Sequence, residues 1–369
     1  MIVRKISPRS KSEVREFIEF PFELYKDSEF WVPFMGSDIK AAFDARMHPF
    51  YRHSTAAFFV VESGTKRLAQ MAVMHNRRYN EFHKKKTALF YYFDSVDDVG
   101  AVELLFKAAS CWARRRFLSE IMGPLGFHAL DGRGVLVEGF HRLPATGIPY
   151  NHPYYDSLLS VVGFEKKSDF LSGILKYQDF SHRFYKIKDR SKERFQIKSF
   201  AGKKELLAWT EKMRWIYNQT FTELIDHYPM SREEMDFTAA RLIDIADPRL
   251  IKIVMKGGRP AGFILVYPNI VRGIKKAKGK MLPFGWFHLL KELRKTRRVD
   301  FNGVAMLPEY RGRGGNAVLY SELKKSLEDF RFEEGEIVQI EEGNRKSLGE
   351  IGLLNVDWCK RHRIYSKKL

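Results

Sequence analysis

The chain has 369 residues, more than one ordinary domain needs, and this length implies two. Hydrophobic residues at 44% and charged residues at 30% give each half material for a core, which excludes a disordered, collagenous or low-complexity chain. The 64 Lys and Arg against 45 Asp and Glu leave a net charge of +19, which favours anionic partners: nucleotides, nucleic acid or acidic lipid headgroups.

Cys111 and Cys359 cannot build a disulfide framework and read as free thiols in a reducing compartment. The opening MIVRKISPRSKSEV lacks the apolar stretch of a signal peptide, and no apolar run approaches the roughly eighteen residues of a membrane span. The expectation is a soluble, cytoplasmic protein.

In chain order, the first half reads as a strand at 2–6, a helical region from about Ser12, strands at 56–62 and 67–74 about a Ser63-Gly64 turn, and a third strand at 87–93. A helix carrying Val102, Leu105, Phe106 and Ala109 follows. Then come a buried strand at 121–125, a short helix within 154–164 stopped by Gly163, and a strand to about 175. The charged segment 179–194 has the composition of a linker. The second half repeats the order: a strand at 195–200, a helix from Lys203 to about 219, and a helix from Ser231, which forms a capping box with Glu234. A hairpin of 250–255 and 261–267 turns at Gly257-Gly258, and a strand at 298–307 leads to a helix ending near 330. A strand at 336–342, a short helix and the terminal RIYSKKL close the chain. The segment 272–298 interrupts the repeat. It carries Lys275, Lys276, Lys278, Lys280, Lys291, Arg294 and Lys295 with apolar Phe284, Trp286, Phe287, Leu289, Leu290 and Leu293, which predicts an amphipathic helix.

The sharpest motif is VAMLPEYRGRGGNAVLYSEL, 304–323. A strand runs into a Gly-rich turn that enters a helix, so unpaired backbone N–H groups and the positive helix end face one point. Glycines let that backbone approach a phosphate, and Arg311 and Arg313 add formal charge. The expected ligand is a pyrophosphate. Neither a Walker loop nor a GxGxxG dinucleotide fingerprint is present.

This strand, the Arg-x-x-Gly-x turn and the helix resemble the acetyl-coenzyme-A loop of the GNAT superfamily of N-acetyltransferases, Arg/Gln-x-x-Gly-x-Gly/Ala, with Asn316 in place of the last small residue. The segments DSEFWVPF, HPFYRHSTAAFFV, GVLVEGF and PYNHPYYDSLLSVVGF are similar to a bacterial group of two-domain acetyltransferase-like proteins. The resemblance implies an α+β fold of two tandem GNAT-like domains, each a mixed central sheet flanked by helices. It places a degenerate copy without a phosphate loop at 1–180, a linker at 181–194 and the working copy at 195–369. It also implies acetyl-CoA, or another acyl-CoA, held by Met306, Leu307, Arg311, Gly312, Arg313, Gly314, Gly315 and Asn316, with Asn344 and Ser347 as a further coenzyme step. In the first half the loop position holds Asp94-Ser95-Val96-Asp97-Asp98, whose carboxylates repel a pyrophosphate.

Acyl transfer needs a deprotonated amine placed on the thioester carbonyl. Asp300, on the strand entering the loop, is the candidate base; the alternative is a solvated or salt-bridged carboxylate beside Arg297 and Arg298. Asn302 lies two residues on, on the same face if the strand is regular, and is assigned to the acceptor. Glu341, beside Glu342, is the second candidate carboxylate. The final helix lacks the Tyr acid usual in the family, which leaves Tyr310 and Tyr365 as substitutes. Asn151, Tyr154 and Tyr155 form a polar-aromatic run that either lines an acceptor pocket or packs as a Pro-rich loop. No metal-ligand spacing occurs, and no metal is expected.

The leading reading is an acetyl- or acyl-CoA-dependent N-acyltransferase for a small amine or amino-acid-like acceptor. One alternative is a tandem-GNAT aminoacyl transferase that takes its group from tRNA, with the +19 charge gripping RNA. The other is a non-enzymatic binder of nucleic acid or an anionic surface through 275–298.

Overall fold

Period-two patterning at the start of the chain produces antiparallel strands, and apolar residues at helical spacing cover them. The elements are β1 (Ile2–Lys5), α1 (Lys11–Leu24), α2 (Gly36–Phe43), β2 (Thr55–Ser63), β3 (Lys66–His75), α3 (Arg77–His83), β4 (Thr87–Ser95), α4 (Val99–Arg114), β5 (Glu120–Gly123), β6 (Val135–Glu138), α5 (Tyr155–Val161) and β7 (Glu165–Leu175). There follow α6 (His182–Ser191), β8 (Gln196–Lys198), α7 (Lys203–Ala208), α8 (Thr210–Thr220), α9 (Arg232–Leu242), β9 (Lys252–Lys256), β10 (Arg259–Pro268), α10 (Val271–Lys276), α11 (Gly285–Lys295), β11 (Arg298–Met306), α12 (Gly315–Asp329), β12 (Glu334–Glu341), α13 (Arg345–Ile351) and β13 (Asp357–Lys368). The computed structural model describes residues 1–128, 130–176, 180–225 and 227–369.

These residues form two compact units that no single cut of the chain separates. Unit 1 is Met1–Phe170 with Val271–Leu289 and Lys360–Leu369; unit 2 is Leu171–Ile270 with Leu290–Cys359. The composition of the sequence points instead to a boundary at 181–194. Packing explains the difference. Lys275 donates through Nζ to the Ser28 carbonyl at 3.4 Å, and the Gly36 N–H reaches the Gly279 carbonyl at 2.8 Å. At the C-terminus, Arg363 Nε donates to Asp169 at 2.8 Å. The expected linker is largely α6, because Phe184 enters the core of unit 2 together with Phe180 and Leu175.

In unit 1 the strand order is β1–β2–β3–β4–β5–β13, with β6 also on β13. Val102, Leu105, Phe106 and Ala109 of α4 meet Phe59, Val61, Phe90 and Ile121 in its core. In unit 2 the order is β12–β11–β10–β9–β8, and α12 presses Leu319, Tyr320 and Leu323 onto Val299 and Phe301 of β11. In each unit a parallel pair stops early. β4 and β5 pair from Thr87↔Glu120 to Leu89↔Met122, and β11 and β12 pair from Arg298↔Glu334 to Phe301↔Ile337. Just beyond, each first strand loses register with its antiparallel neighbour: Ala72↔Tyr91 is followed by Gln70↔Asp94, and Val266↔Phe301 by Leu265↔Gly303. Such bulges bend the strand and open the sheet where they fall.

Candidate functional site

In unit 2, β11 ends at the buried Met306, and a single 3₁₀ turn over Pro308–Tyr310 leads into the Gly-rich loop. Gly312 and Gly314 have φ of 71° and 86°, a region that costs a side chain strain. Gly314 is the N-cap of α12 and supplies no side-chain cap, so the first-turn N–H groups remain for a ligand. Gly315 seats the helix on the strand: a Cβ there lies 2.8 Å from Met306 Cε. α6 flanks the loop, with Ser191 Oγ donating to the Arg313 carbonyl at 3.3 Å.

The two arginines of the loop have different duties. Arg311 donates through Nε to the Met306 carbonyl at 3.1 Å and through Nη2 to the Thr220 carbonyl at 2.6 Å, bracing the loop against the C-terminal end of α8. Arg313 is exposed. Asn316 donates through Nδ2 to the Glu350 carboxylate, and burial pushes Glu350 above its ordinary value against the pull of Asn316 and Arg311. Leu307 is buried behind the loop.

The carboxylates separate as sharply. Asp300 is fully buried, stands between Tyr267 of β10 and Glu336 of β12, and accepts from Asn269 Nδ2 at 2.8 Å. Its side chain does not reach solvent. Asn302 is the extra residue of the β11 bulge and is exposed, so the regular alternation that placed it with Asp300 fails there. Glu341 ends β12 half-buried. Asn344 caps α13, accepting from the Ser347 N–H at 3.1 Å. Tyr310 packs edge-on to Phe195, and Tyr365 belongs to unit 1, where its hydroxyl donates to Asp156.

Among the described residues, unit 1 has no equivalent loop. Asp98 closes the N-terminus of α4 by accepting from the Ala101 N–H at 2.9 Å. Of the residues assigned to an acceptor, Asn151 bonds both backbone groups of Leu136, at 2.6 and 3.1 Å, and holds β6 in place. Tyr154 donates to the Ser95 carbonyl at 2.8 Å. Tyr155 accepts from the Ser95 N–H at 2.8 Å and shares a 2.8 Å hydrogen bond with Tyr25. Tyr25 in turn donates to Asp94 at 3.0 Å, and Gln70 Nε2 lies 3.4 Å from the other carboxylate oxygen. Burial pushes the Asp94 carboxyl from 3.8 to about 7, although Tyr25, Gln70 and Tyr155 pull it down. Asp94 stands on the wall of a cleft of about 60 Å³ that Phe17, Phe22, Trp31, Phe34, Tyr91 and Tyr155 help to line. From the sequence, Asp94 is only a charge hostile to phosphate; the signal for more is a carboxylate at the end of the apolar strand TALFYYFD.

This architecture is the fold of the GNAT superfamily of N-acetyltransferases in its tandem form. A tandem GNAT protein from the clavulanic acid biosynthesis pathway superposes with a TM-score of 0.58 at 12% identity, covering 100% of this chain and 98% of that one. Among curated proteins, Protein YghO of Escherichia coli is 26% identical over 98% of this chain and 94% of its own length. Bacterial ceramide synthase of Caulobacter vibrioides is 24% identical over 99% of this chain and 97% of its own length. No family model matches the chain.

Proposed function

We propose that the chain is an acyl-coenzyme-A-dependent N-acyltransferase whose coenzyme is held at 311–316. The observation that carries this is the uncapped start of α12 at left-handed Gly314, beside strands that part after Phe301 and Ile337. The first-turn N–H groups and Arg313 fit a pyrophosphate, and Met306 and Leu307 back the turn. Bound there, the coenzyme supplies the thioester carbonyl. Of the two carboxylates, Glu341 is the accessible one and takes the amine proton, while Asp300 orients Asn269 from within the sheet. Asn302, turned out by the bulge, contacts the acceptor, and Asn344 and Ser347 serve as the cap beneath the coenzyme arm.

The acceptor is an amine. A ceramide is the amide of a long-chain amino alcohol, and the name of the Caulobacter relative supports an acceptor that bears a hydrocarbon chain over an amino-acid-like one. Donation from tRNA leaves the glycine loop without a purpose. The test is titration calorimetry with acetyl-CoA, longer acyl-CoAs and tRNA, followed by an amine screen with thiol-release detection. Coenzyme binding that Arg313→Glu weakens is expected; tight tRNA binding without coenzyme binding overturns the reading.

One observation favours an additional role. Within unit 1, Met281, Leu282, Phe284, Trp286 and Phe287 are exposed, directly after the exposed Lys276, Lys278 and Lys280. Among the described residues no helix is long and apolar enough to cross a membrane. An apolar edge rimmed by cations suits the surface of an anionic bilayer. Sedimentation with phosphatidylglycerol vesicles, and loss of it in a Trp286→Glu, Phe287→Glu double variant, is the expected result; equal sedimentation of the variant refutes it.

A further inference from the structure

We infer that unit 1 holds a binding cleft for an alkylammonium ligand, whose cation pairs with Asp94 and whose hydrocarbon lies against Phe17, Phe22, Trp31, Phe34 and Tyr91. Position is the first argument. The cleft opens where β4 leaves β5 after Leu89↔Met122, and β4 carries its bulge there, with Tyr92 at φ 49°. The corresponding opening in unit 2 adjoins a glycine turn and an uncapped helix. In unit 1 Asp98 occupies the helix end instead, so the repeat keeps the opening and reverses its charge.

The second argument is the state of Asp94. Its hydrogen-bond partners, Tyr25 and Gln70, are neutral, and among the described residues no Lys or Arg pairs with it, in a chain whose net charge is +19. Asp94 is half-buried, and a carboxylate partly withdrawn from water without a cationic partner is costly in its charged form. Here the ionised form awaits a cation from outside. The wall suits one: Phe17, Phe22, Trp31, Phe34 and Tyr91 line the cleft beside Asp94, and Trp31 is held by stacking on Tyr25 at 5.2 Å between ring centroids. Aromatic faces beside a carboxylate are the usual surroundings of a bound ammonium. The space, about 60 Å³, takes about four to six water-sized groups at roughly 10–15 Å³ each, enough for the amine and the first carbons of a chain.

The inference shares only its ligand class with the reading above and requires no acyl transfer. It is tested without coenzyme, so its failure and that of the coenzyme site are separate results. The probes are octylamine, butylamine, octanol and octanoate, titrated calorimetrically into the full chain at pH 8 and pH 6. Octylamine and butylamine are both expected to bind, because the amine and the first carbons fill the space, and octanol and octanoate far more weakly. Asp94→Asn is expected to weaken octylamine by roughly 10- to 100-fold, the size of a hydrogen bond to a charged group. Affinity falls from pH 8 to pH 6 as Asp94 takes up its proton. The other titratable groups around it are Tyr25 of the α1 end, Tyr154 and Tyr155 of α5, Asp97 before α4, and His152. Burial holds the three tyrosines in the protonated form throughout this range. The pH dependence must therefore persist in His152→Gln and Asp97→Asn and vanish in Asp94→Asn. Trp31→Leu should lower octylamine affinity without altering its pH dependence, which separates the wall from the charge. Equal binding of octanol and octylamine, unchanged affinity in a folded Asp94→Asn, or a pH dependence that survives in that variant overturns the assignment.

Discussion

Asp94→Asn should make the ligand-free protein more stable at pH 8. The wild-type carboxyl titrates near 7 in the folded chain instead of 3.8, so between those values the folded state binds more protons than the unfolded one. Wild-type stability from this group therefore falls as pH rises through that window. At 1.36 kcal/mol per pH unit, the ionised carboxylate costs about 4 kcal/mol at pH 8 and under about 2 kcal/mol at pH 5. The amide carries no such cost. Its oxygen keeps the 3.0 Å hydrogen bond from Tyr25, but its NH₂ meets Gln70 Nε2 and gives up the 3.4 Å contact, a loss of about 1 kcal/mol. The net expectation is a gain of about 3 kcal/mol at pH 8 that nearly disappears at pH 5, against a total stability of about 5–15 kcal/mol. Urea unfolding of both proteins, followed by far-UV circular dichroism at pH 5, 6, 7 and 8, measures it. A variant less stable at pH 8, or a difference that stays constant with pH, refutes the argument that burial of an unpaired charge governs this cleft.

Arg313→Glu should lower coenzyme A affinity roughly 10-fold or more, because an exposed cation at the loop becomes an anion, with the urea midpoint unchanged. Arg311→Ala should instead cost about 2 kcal/mol of stability, since its guanidinium holds the carbonyls of Met306 and Thr220; an unchanged midpoint refutes its role as a brace. His362 is buried, hydrogen-bonded to the Pro149 carbonyl, and pushed down from 6.5 to about 4 by burial. The unfolded chain binds that proton first, so acidification from 6.5 towards 4 destabilises the fold, by about 2 kcal/mol at pH 5, and His362→Gln should flatten that limb of the pH–stability curve. Once an acceptor is in hand, Glu341→Gln should lower kcat/KM by roughly 10²–10⁴-fold, the size of a general-base contribution, with little change in stability. Asp300→Asn should show its effect mainly in the urea midpoint, and the opposite pattern would return the base to Asp300.

Element order, the tandem repeat and the loop were legible in the residues because each rests on local physics. Alternation along 56–62 and 67–74 writes a hairpin, Ser231 and Glu234 write a capping box that the structure forms in full, and glycines at 312 and 314 permit the left-handed turn into α12. What lay beyond reach depended on partners remote in sequence. RIYSKKL reads as a strand, yet only packing decides that Tyr365 pairs with Gly123. Burial of Asp300 follows from Tyr267 and Glu336 on neighbouring strands, and the exposure of Asn302 from a register shift that one strand's own pattern does not record. Asp94 looked like a repelling charge in a degenerate loop until tertiary contacts brought Tyr25, Gln70 and Tyr155 around it. A side chain's charge is written in its identity, but the cost of that charge is set by neighbours that only the folded chain assembles.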